Sequence, residues 1–101
     1  MLEIDLSKLQ ATERTISVGT ASTLILRVNP NRIWAQFTND GANVIYLSFK
    51  SPAVVSQGFR INASGGAFEF DQINTPWTGE LYGIASGGAS VLSGQEIEQK
   101  L

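Results

Sequence analysis

The amino-acid sequence predicts an all-β fold, a compact antiparallel β-sandwich of roughly seven to nine short strands with jelly-roll or immunoglobulin-like architecture. Two observations support this prediction. Apolar and polar residues alternate through most of the chain, and Gly, Asn, Asp, Ser or Pro interrupts the alternation at intervals typical of sandwich turns. No stretch keeps the period of an amphipathic helix. The length of 101 residues fits one domain.

The beginning of the chain differs in pattern from the rest, so we predict two parts, residues 1–14 and a single sandwich domain over residues 15–101. The apolar residues of the first part start with a spacing of two and then shift to three: Leu2, Ile4, Leu6 and Leu9. No turn residue separates them cleanly from residues 10–14. The segment is either an arm that packs on a neighbouring subunit or an edge strand of the same sandwich, and both alternatives stay open.

The first strands of the sandwich domain are predicted over residues 15–19 and 22–28. In the second strand the alternation places Leu24, Leu26 and Val28 on one face. Since successive side chains of a strand point to opposite faces, Thr23, Ile25 and Arg27 are expected on the other.

The middle of the chain is predicted to form a hairpin. A turn containing Pro30 leads into a strand over residues 33–38, whose inward residues are expected to be Ile33, Ala35 and Phe37. Asp40-Gly41 lies between two alternating runs, and this dipeptide is a strong local hairpin signal because glycine adopts positive φ freely. The returning strand covers residues 44–49.

The second half repeats this design. Residues 59–63 and 68–70 alternate on either side of Ser64-Gly65-Gly66, which predicts a second hairpin. A polar loop comes next, and two further strands over residues 80–86 and 89–93 are joined by a glycine pair.

The composition excludes several classes of function. The chain has no cysteine and no histidine, which removes disulfides, thiolate nucleophiles and the commonest metal ligands. A net charge of −2 and a charged fraction of 16% disfavour binding to a phosphate backbone. No apolar run approaches the length of a membrane span, and no basic, apolar leader is visible at the start. We therefore predict no enzyme, no cofactor, no metal, no nucleic-acid partner and no membrane partner.

Two groups of residues could argue against the prediction of no enzyme and no metal. Glu69 and Asp71 share a face if one strand runs through both, but an acid–base pair for glycoside hydrolysis must flank a cleft, with one pKa raised. The turn at residues 39–43 offers oxygen ligands, yet a single carboxylate is too little charge for a good Ca²⁺ site. Neither pattern predicts chemistry.

Three aromatic residues are the remaining candidates for contact with a partner: Trp34, Tyr46 and Trp77. Trp and Tyr are enriched at protein interfaces and stack on sugar faces. For each of them, packing in or at the rim of the core is the alternative. With the apolar residues of the first segment, they complete the set of predicted interaction residues.

Between residues 32 and 93 the chain resembles a family of small virion structural proteins of tailed bacteriophages. The segments that carry the resemblance are Asn39-Asp40-Gly41-Ala42-Asn43-Val44-Ile45-Tyr46-Leu47, Ala53-Val54-Val55 with Gly58 and Ile61, Gly65-Gly66-Ala67-Phe68-Glu69, and Trp77-Thr78-Gly79-Glu80-Leu81-Tyr82-Gly83-Ile84. The resemblance implies a β-sandwich module of the kind found as capsid decoration proteins or as domains of head fibres and tail structures. It transfers no functional residue, because the shared positions are turn glycines and core aromatics.

The function predicted from these observations is that of a non-enzymatic phage virion structural protein, specifically a decoration or cement protein that binds the capsid shell. Its expected partners are the major capsid protein or other virion proteins and further copies of itself, with a homotrimer favoured. The expected location is the virion, after synthesis in the host cytoplasm. The alternative is a carbohydrate- or receptor-binding module of a phage tail fibre or tail structure, with Trp34 or Trp77 as the stacking platform.

Overall fold

The computed structural model describes residues 6–100. A 3-10 turn at Leu6–Lys8 is followed by eight strands: β1 (Leu9–Val18), β2 (Thr23–Leu26), β3 (Arg32–Asn39), β4 (Ile45–Ser48), β5 (Phe59–Ile61), β6 (Gly66–Asp71), β7 (Leu81–Ala85) and β8 (Ser90–Gln99). Within this range no helix has the length and apolar character needed to cross a membrane.

The strands form two four-stranded antiparallel sheets, which confirms the predicted β-sandwich. The first sheet has the order β1-β8-β3-β6 and the second has the order β2-β7-β4-β5. The chain changes sheet at every connection except the one from β4 to β5. In an immunoglobulin sandwich the first two strands share a sheet, whereas here β1 and β2 lie in opposite sheets. Of the two predicted architectures, the structure therefore has the jelly roll.

The predicted hairpins are wrong, because their two strands lie in different sheets. The turn around Asp40-Gly41 joins β3 of the first sheet to β4 of the second, and Ser64-Gly65 joins β5 to β6 in the same manner. The buried Asn39 accounts for the first crossover, since its Nδ2 donates to the carbonyl of Asn43 in the connection and to that of Ile61 in the second sheet. Turn chemistry specifies a reversal of the chain but does not specify which strand becomes the neighbour.

The beginning of the sandwich also differs from the prediction. Strand β1 starts at Leu9, before the predicted start at residue 15, and pairs with β8 along its whole length from Leu9↔Gln99 to Val18↔Ser90. Residues 9–14 thus belong to an edge strand of the first sheet. Residues 1–5, which include the predicted contact residues Leu2 and Ile4, lie outside the described range.

The predicted facing of β2 is wrong as well. Leu24 and Val28 are exposed, while Ile25 and Leu26 are both buried. A β-bulge between Leu24 and Leu26 causes this change, because one extra residue on β2 turns two successive side chains towards the core.

The core fills the space between the two sheets and contains Ala35 and Phe37, two of the inward residues predicted for β3, while the third, Ile33, is buried outside this cluster. Its buried members are Val18, Ile25, Leu26, Ala35, Phe37, Ile45, Leu47, Ile61, Phe70, Leu81, Ala85 and Leu92. Partly buried aromatic residues, Phe49, Phe68 and Trp77, pack against this cluster. Phe49 lies within 6.5 Å, centroid to centroid, of four other rings, so aromatic packing dominates one region of the sandwich.

Candidate functional site

A groove of about 280 Å³ opens where β3 begins and β6 ends. Its lining combines two tryptophans and two prolines with a mostly apolar floor and a few polar groups: Pro30, Arg32, Ile33, Trp34, Phe70, Asp71, Gln72, Pro76, Trp77 and Thr78. The loops before β3 and after β6 supply half of these residues, and the two strands supply the other half. This groove is the candidate site for contact with a ligand.

A second β-bulge sets the direction of the side chains in the groove. In the pairing of β3 with β8, Arg32 lies opposite Glu98 and Trp34 lies opposite Ile97, so Ile33 is the extra residue. Arg32 and Ile33 are consequently both buried, whereas Trp34 faces the outside of the first sheet. Bulges are common next to functional sites because they re-aim a side chain in this way.

The buried guanidinium of Arg32 connects the loops on the two sides of the groove. Its Nε donates to Glu96 Oε2 at 2.6 Å and its Nη2 donates to the carbonyl of Arg27 at 2.7 Å. Its Nη1 donates to the carbonyls of Trp77 and Gly79. All three nitrogens therefore have partners, and one side chain ties together the two loops that form the walls.

Glu96 is the ionised partner in this network. Burial alone raises the pKa of its carboxyl, but hydrogen bonds and charge from Arg32, with further bonds from Arg14 and Asn29, outweigh burial and lower the pKa below its ordinary value. Arg14 Nη2 lies 3.0 Å from Glu96 Oε1, and Asn29 Nδ2 donates to both Glu96 and Glu98 at 3.3 Å. The carboxylate is thus charged at neutral pH.

Trp77 forms a fixed wall of the groove. Its indole stacks on the Phe49 ring with the centroids 4.5 Å apart, and its Nε1 donates to the carbonyl of Glu80 at 2.9 Å. A Cβ at Gly79 would lie 2.6 Å from the indole ring, so only glycine permits this close approach. The ring is therefore in place before any ligand arrives.

Trp34 lies on the outer face of the first sheet, directly opposite Asp71 in the register of β3 and β6. Its Nε1 donates to Glu69 Oε2 at 3.0 Å. Asp71 Oδ1 accepts hydrogen bonds from the backbone N–H groups of Asn74 and Ile73, in that order of effect, and these bonds lower the pKa of the carboxyl. Of the two carboxylates considered as an acid–base pair, one contacts an indole and the other shapes a turn.

The structure brings two of the predicted contact residues together in the groove, Trp34 and Trp77. Tyr46 lies elsewhere, on the outer face of the second sheet, where its hydroxyl accepts a hydrogen bond from Arg60 Nη1. Leu6 lies in the 3-10 turn and Leu9 begins β1 at the edge of the first sheet.

The sequence did not point to Gln72 or to the buried arginine as parts of this site. The side-chain amide of Gln72 lines the groove and makes no hydrogen bond within the described range. Pro76, directly before Trp77, was the available signal. The proximity of the groove residues depends on the loop contacts of Arg32, which leave no trace in the sequence pattern.

Comparison with known proteins gives a fold likeness and no family. The chain is similar to a solved chain from the disulfide-linked pili that form Bacillus endospore appendages, with a TM-score of 0.57 and 15% identity over 92% of this chain and 87% of that chain. No family model and no curated protein matches. At this identity the likeness shows the jelly-roll fold alone. The resemblance to virion proteins of tailed phages stays a prediction.

Proposed function

We propose that the chain is a non-enzymatic structural subunit that acts as one copy among many in a protein assembly. The observation that carries the proposal is an apolar surface on one side of the sandwich, formed by Leu24, Val54 and Val55. These side chains are 37%, 42% and 39% exposed. Exposed apolar side chains in a group are typical of surfaces that another protein covers.

The local structure holds this surface in place. Leu24 lies on β2, the edge strand of the second sheet, and the Thr-Leu-Ile-Leu sequence of β2 contains no charge. The backbone N–H of Ala53 donates to Ser22 Oγ at 2.8 Å, which holds the segment that precedes the two valines beside the start of β2. Edge strands usually carry charges or prolines that prevent association. Strand β2 has neither a charge nor a proline, but its length of four residues and its bulge limit pairing at the backbone edge, so the apolar side chains carry the proposal.

The similar pilus chain adds support, because it shows that a jelly roll of this size occurs in an extended assembly. Those pili are disulfide-linked, whereas these 101 residues contain no cysteine. Assembly of this chain must therefore rely on buried apolar area and hydrogen bonds. A small domain without disulfides also gains stability when part of its surface is covered.

The more specific proposal is a decoration or cement protein on the capsid of a tailed phage. It rests on the resemblance within residues 32–93, on the low charge and on the apolar surface. The partners are then the major capsid protein and further copies of the chain, with a homotrimer favoured, and the location is the virion. Co-purification with intact particles in a fixed ratio to the shell subunit is the expected result.

Light scattering after size exclusion at micromolar concentration tests self-assembly. The wild-type chain is expected to elute as an oligomer, and Val54→Lys is expected to elute as a monomer with unchanged thermal unfolding. Val91→Lys is the matched control, because Val91 is a similarly exposed valine on the outer face of the first sheet. A wild-type monomer that also fails to bind purified capsids contradicts the proposal.

A further inference from the structure

We propose that the groove between Trp34 and Trp77 binds one ring of a neutral carbohydrate. This inference goes beyond the structural role, because it assigns a ligand site to a region separate from the apolar surface at Leu24. It rests on three properties of the groove: its rigid aromatic walls, its unpaired polar groups and the sign of its charge.

The walls present apolar area of the kind that the CH face of a sugar covers. Trp77 is fixed by its stacking on Phe49, and Trp34 is fixed at its Nε1 by Glu69. Aromatic side chains that are already in place bind without a large loss of side-chain entropy. The volume of about 280 Å³ lies just below the range of about 300–1,000 Å³ for drug-sized ligands, which fits a single ring of a longer glycan.

The polar groups of the groove have unused hydrogen-bonding capacity that hydroxyl groups can fill. The Gln72 amide offers two donors and an acceptor and has no partner in the described chain. The Asp71 carboxylate already accepts hydrogen bonds from Ile73, Asn74 and Thr75, so the unused capacity lies on Gln72. The exposed Thr78 adds a hydroxyl at the rim.

The charge of the groove selects neutral sugars over acidic ones. The one cation that lines it is Arg32, whose three nitrogens all donate to Glu96 or to backbone carbonyls. The remaining charge is the carboxylate of Asp71, whose pKa is lowered, and that of Glu69 beside Trp34. A sugar that carries a carboxylate would meet these carboxylates and no unpaired cation among the described lining residues.

The test monitors the two indole N–H resonances in an NMR titration of the full chain, which contains two tryptophans. The probes are three neutral trisaccharides, maltotriose, cellotriose and chitotriose, and the acidic trigalacturonate. At least one neutral trisaccharide is expected to shift both resonances, with a dissociation constant on the order of 1 mM. Trigalacturonate is expected to shift neither.

Three variants assign the binding to the groove. Trp34→Ala and Gln72→Ala are each expected to weaken binding at least about tenfold. Tyr46→Ala, which removes an aromatic side chain from the outer face of the other sheet, is expected to bind as the wild type does. Thermal unfolding of each variant checks that the fold is intact. Trp77 is left unchanged because it packs against the core.

Three results overturn the inference: no shift with any neutral trisaccharide, unchanged binding by Trp34→Ala, or equal binding of trigalacturonate. A proline-rich decapeptide that shifts the same resonances when no sugar does also overturns it and assigns the groove to a peptide. Light scattering on the same samples reports oligomerisation separately, so failure of the sugar site and failure of assembly are distinguishable.

Discussion

The two ends of the jelly roll each contain a buried polar cluster, and the two clusters differ in charge. At the end with the Asp40-Gly41 turn, the neutral amide of Asn39 donates to the carbonyls of Asn43 and Ile61 and accepts from Gly41 N and Ser90 Oγ. At the groove end, the charged pair Arg32–Glu96 has the corresponding position and is joined by Arg14 and Asn29.

The difference in charge gives the two ends different sensitivity to their surroundings. The neutral cluster contains no titratable side chain among its hydrogen-bond partners in the described chain, so pH does not change its bonds. The groove end depends on an ionised carboxylate, whose bonds weaken when it is protonated. Buried charge also leaves a larger penalty than buried amides when one partner is removed. The loops that form the groove are thus held by the more sensitive of the two clusters.

The largest effect is expected from Arg32→Ala. This change leaves the buried Glu96 carboxylate with only Arg14 and Asn29 and frees three backbone carbonyls, so the free energy of unfolding should fall by about 3–5 kcal/mol. Urea unfolding at pH 7 measures the loss. The double variant Arg32→Met with Glu96→Leu should lose less, because no buried charge remains. A single-variant loss below about 1 kcal/mol would contradict the importance given to the pair.

Asn39→Ala is expected to have the second largest effect. It removes four hydrogen bonds between neutral groups, each with a net contribution of about 0.5–1 kcal/mol, so a loss of about 2–4 kcal/mol is expected in urea unfolding. Asn43→Ala is a suitable control, since its Nδ2 makes one exposed bond, to the carbonyl of Ala89. If Asn39→Ala costs more than Arg32→Ala, the neutral cluster is the stronger one.

The two ends also differ in how far the sequence predicted them. Alternation correctly gave the inward face of β3, including Ala35 and Phe37, because an undisturbed strand keeps its period of two. It failed at Ile25, where a bulge inserts a residue without any distinct residue type, whereas Ile33 is buried as predicted. The Asp40-Gly41 turn looks the same in sequence whether the next strand pairs in the same sheet or crosses to the other.

The sequence predicted individual residues of the candidate site but not that they lie together. Trp34 and Trp77 stood out as aromatics in polar surroundings, and the structure places both at one groove. Their proximity is produced by Arg32, which binds backbone carbonyls on both loops, and backbone carbonyls are present at every position of a sequence. Contacts of this kind become visible only in three dimensions.

The pH dependence of the free energy of unfolding distinguishes the contribution of the charged cluster from that of the neutral cluster. The folded-state pKa of Glu96 is lowered from its ordinary value of 4.5. Its contribution is therefore complete above about pH 4.5 and is lost as the pH falls through the lowered value. Glu96→Gln should be less stable at pH 7 and should lose less on further acidification than the wild type. The free energy of unfolding of Asn39→Ala should lie below that of the wild type by the same amount at every pH. If the free energy of unfolding fell equally with decreasing pH in the wild type and in Glu96→Gln, this prediction would be contradicted.

The smallest losses of stability are expected from substitutions at the margin of each cluster. Because the two losses are similar in size, their pH dependence compares the clusters directly. Ser90→Ala removes a bond to Asn39 Oδ1 at 2.8 Å and one from Asn43 N at 3.4 Å. Asn29→Ala removes two bonds of 3.3 Å to Glu96 and Glu98 and one of 3.1 Å from the backbone N–H of Asn31. Each change should cost about 1 kcal/mol at pH 7. At a second, acid pH below the lowered pKa of Glu96, the cost of Asn29→Ala should shrink, because a protonated carboxyl is a weaker acceptor than a carboxylate, whereas the cost of Ser90→Ala should stay constant. Urea unfolding of both variants at the two pH values measures this, and an equal change in the two costs would show that the charge of the groove end does not set its sensitivity to pH.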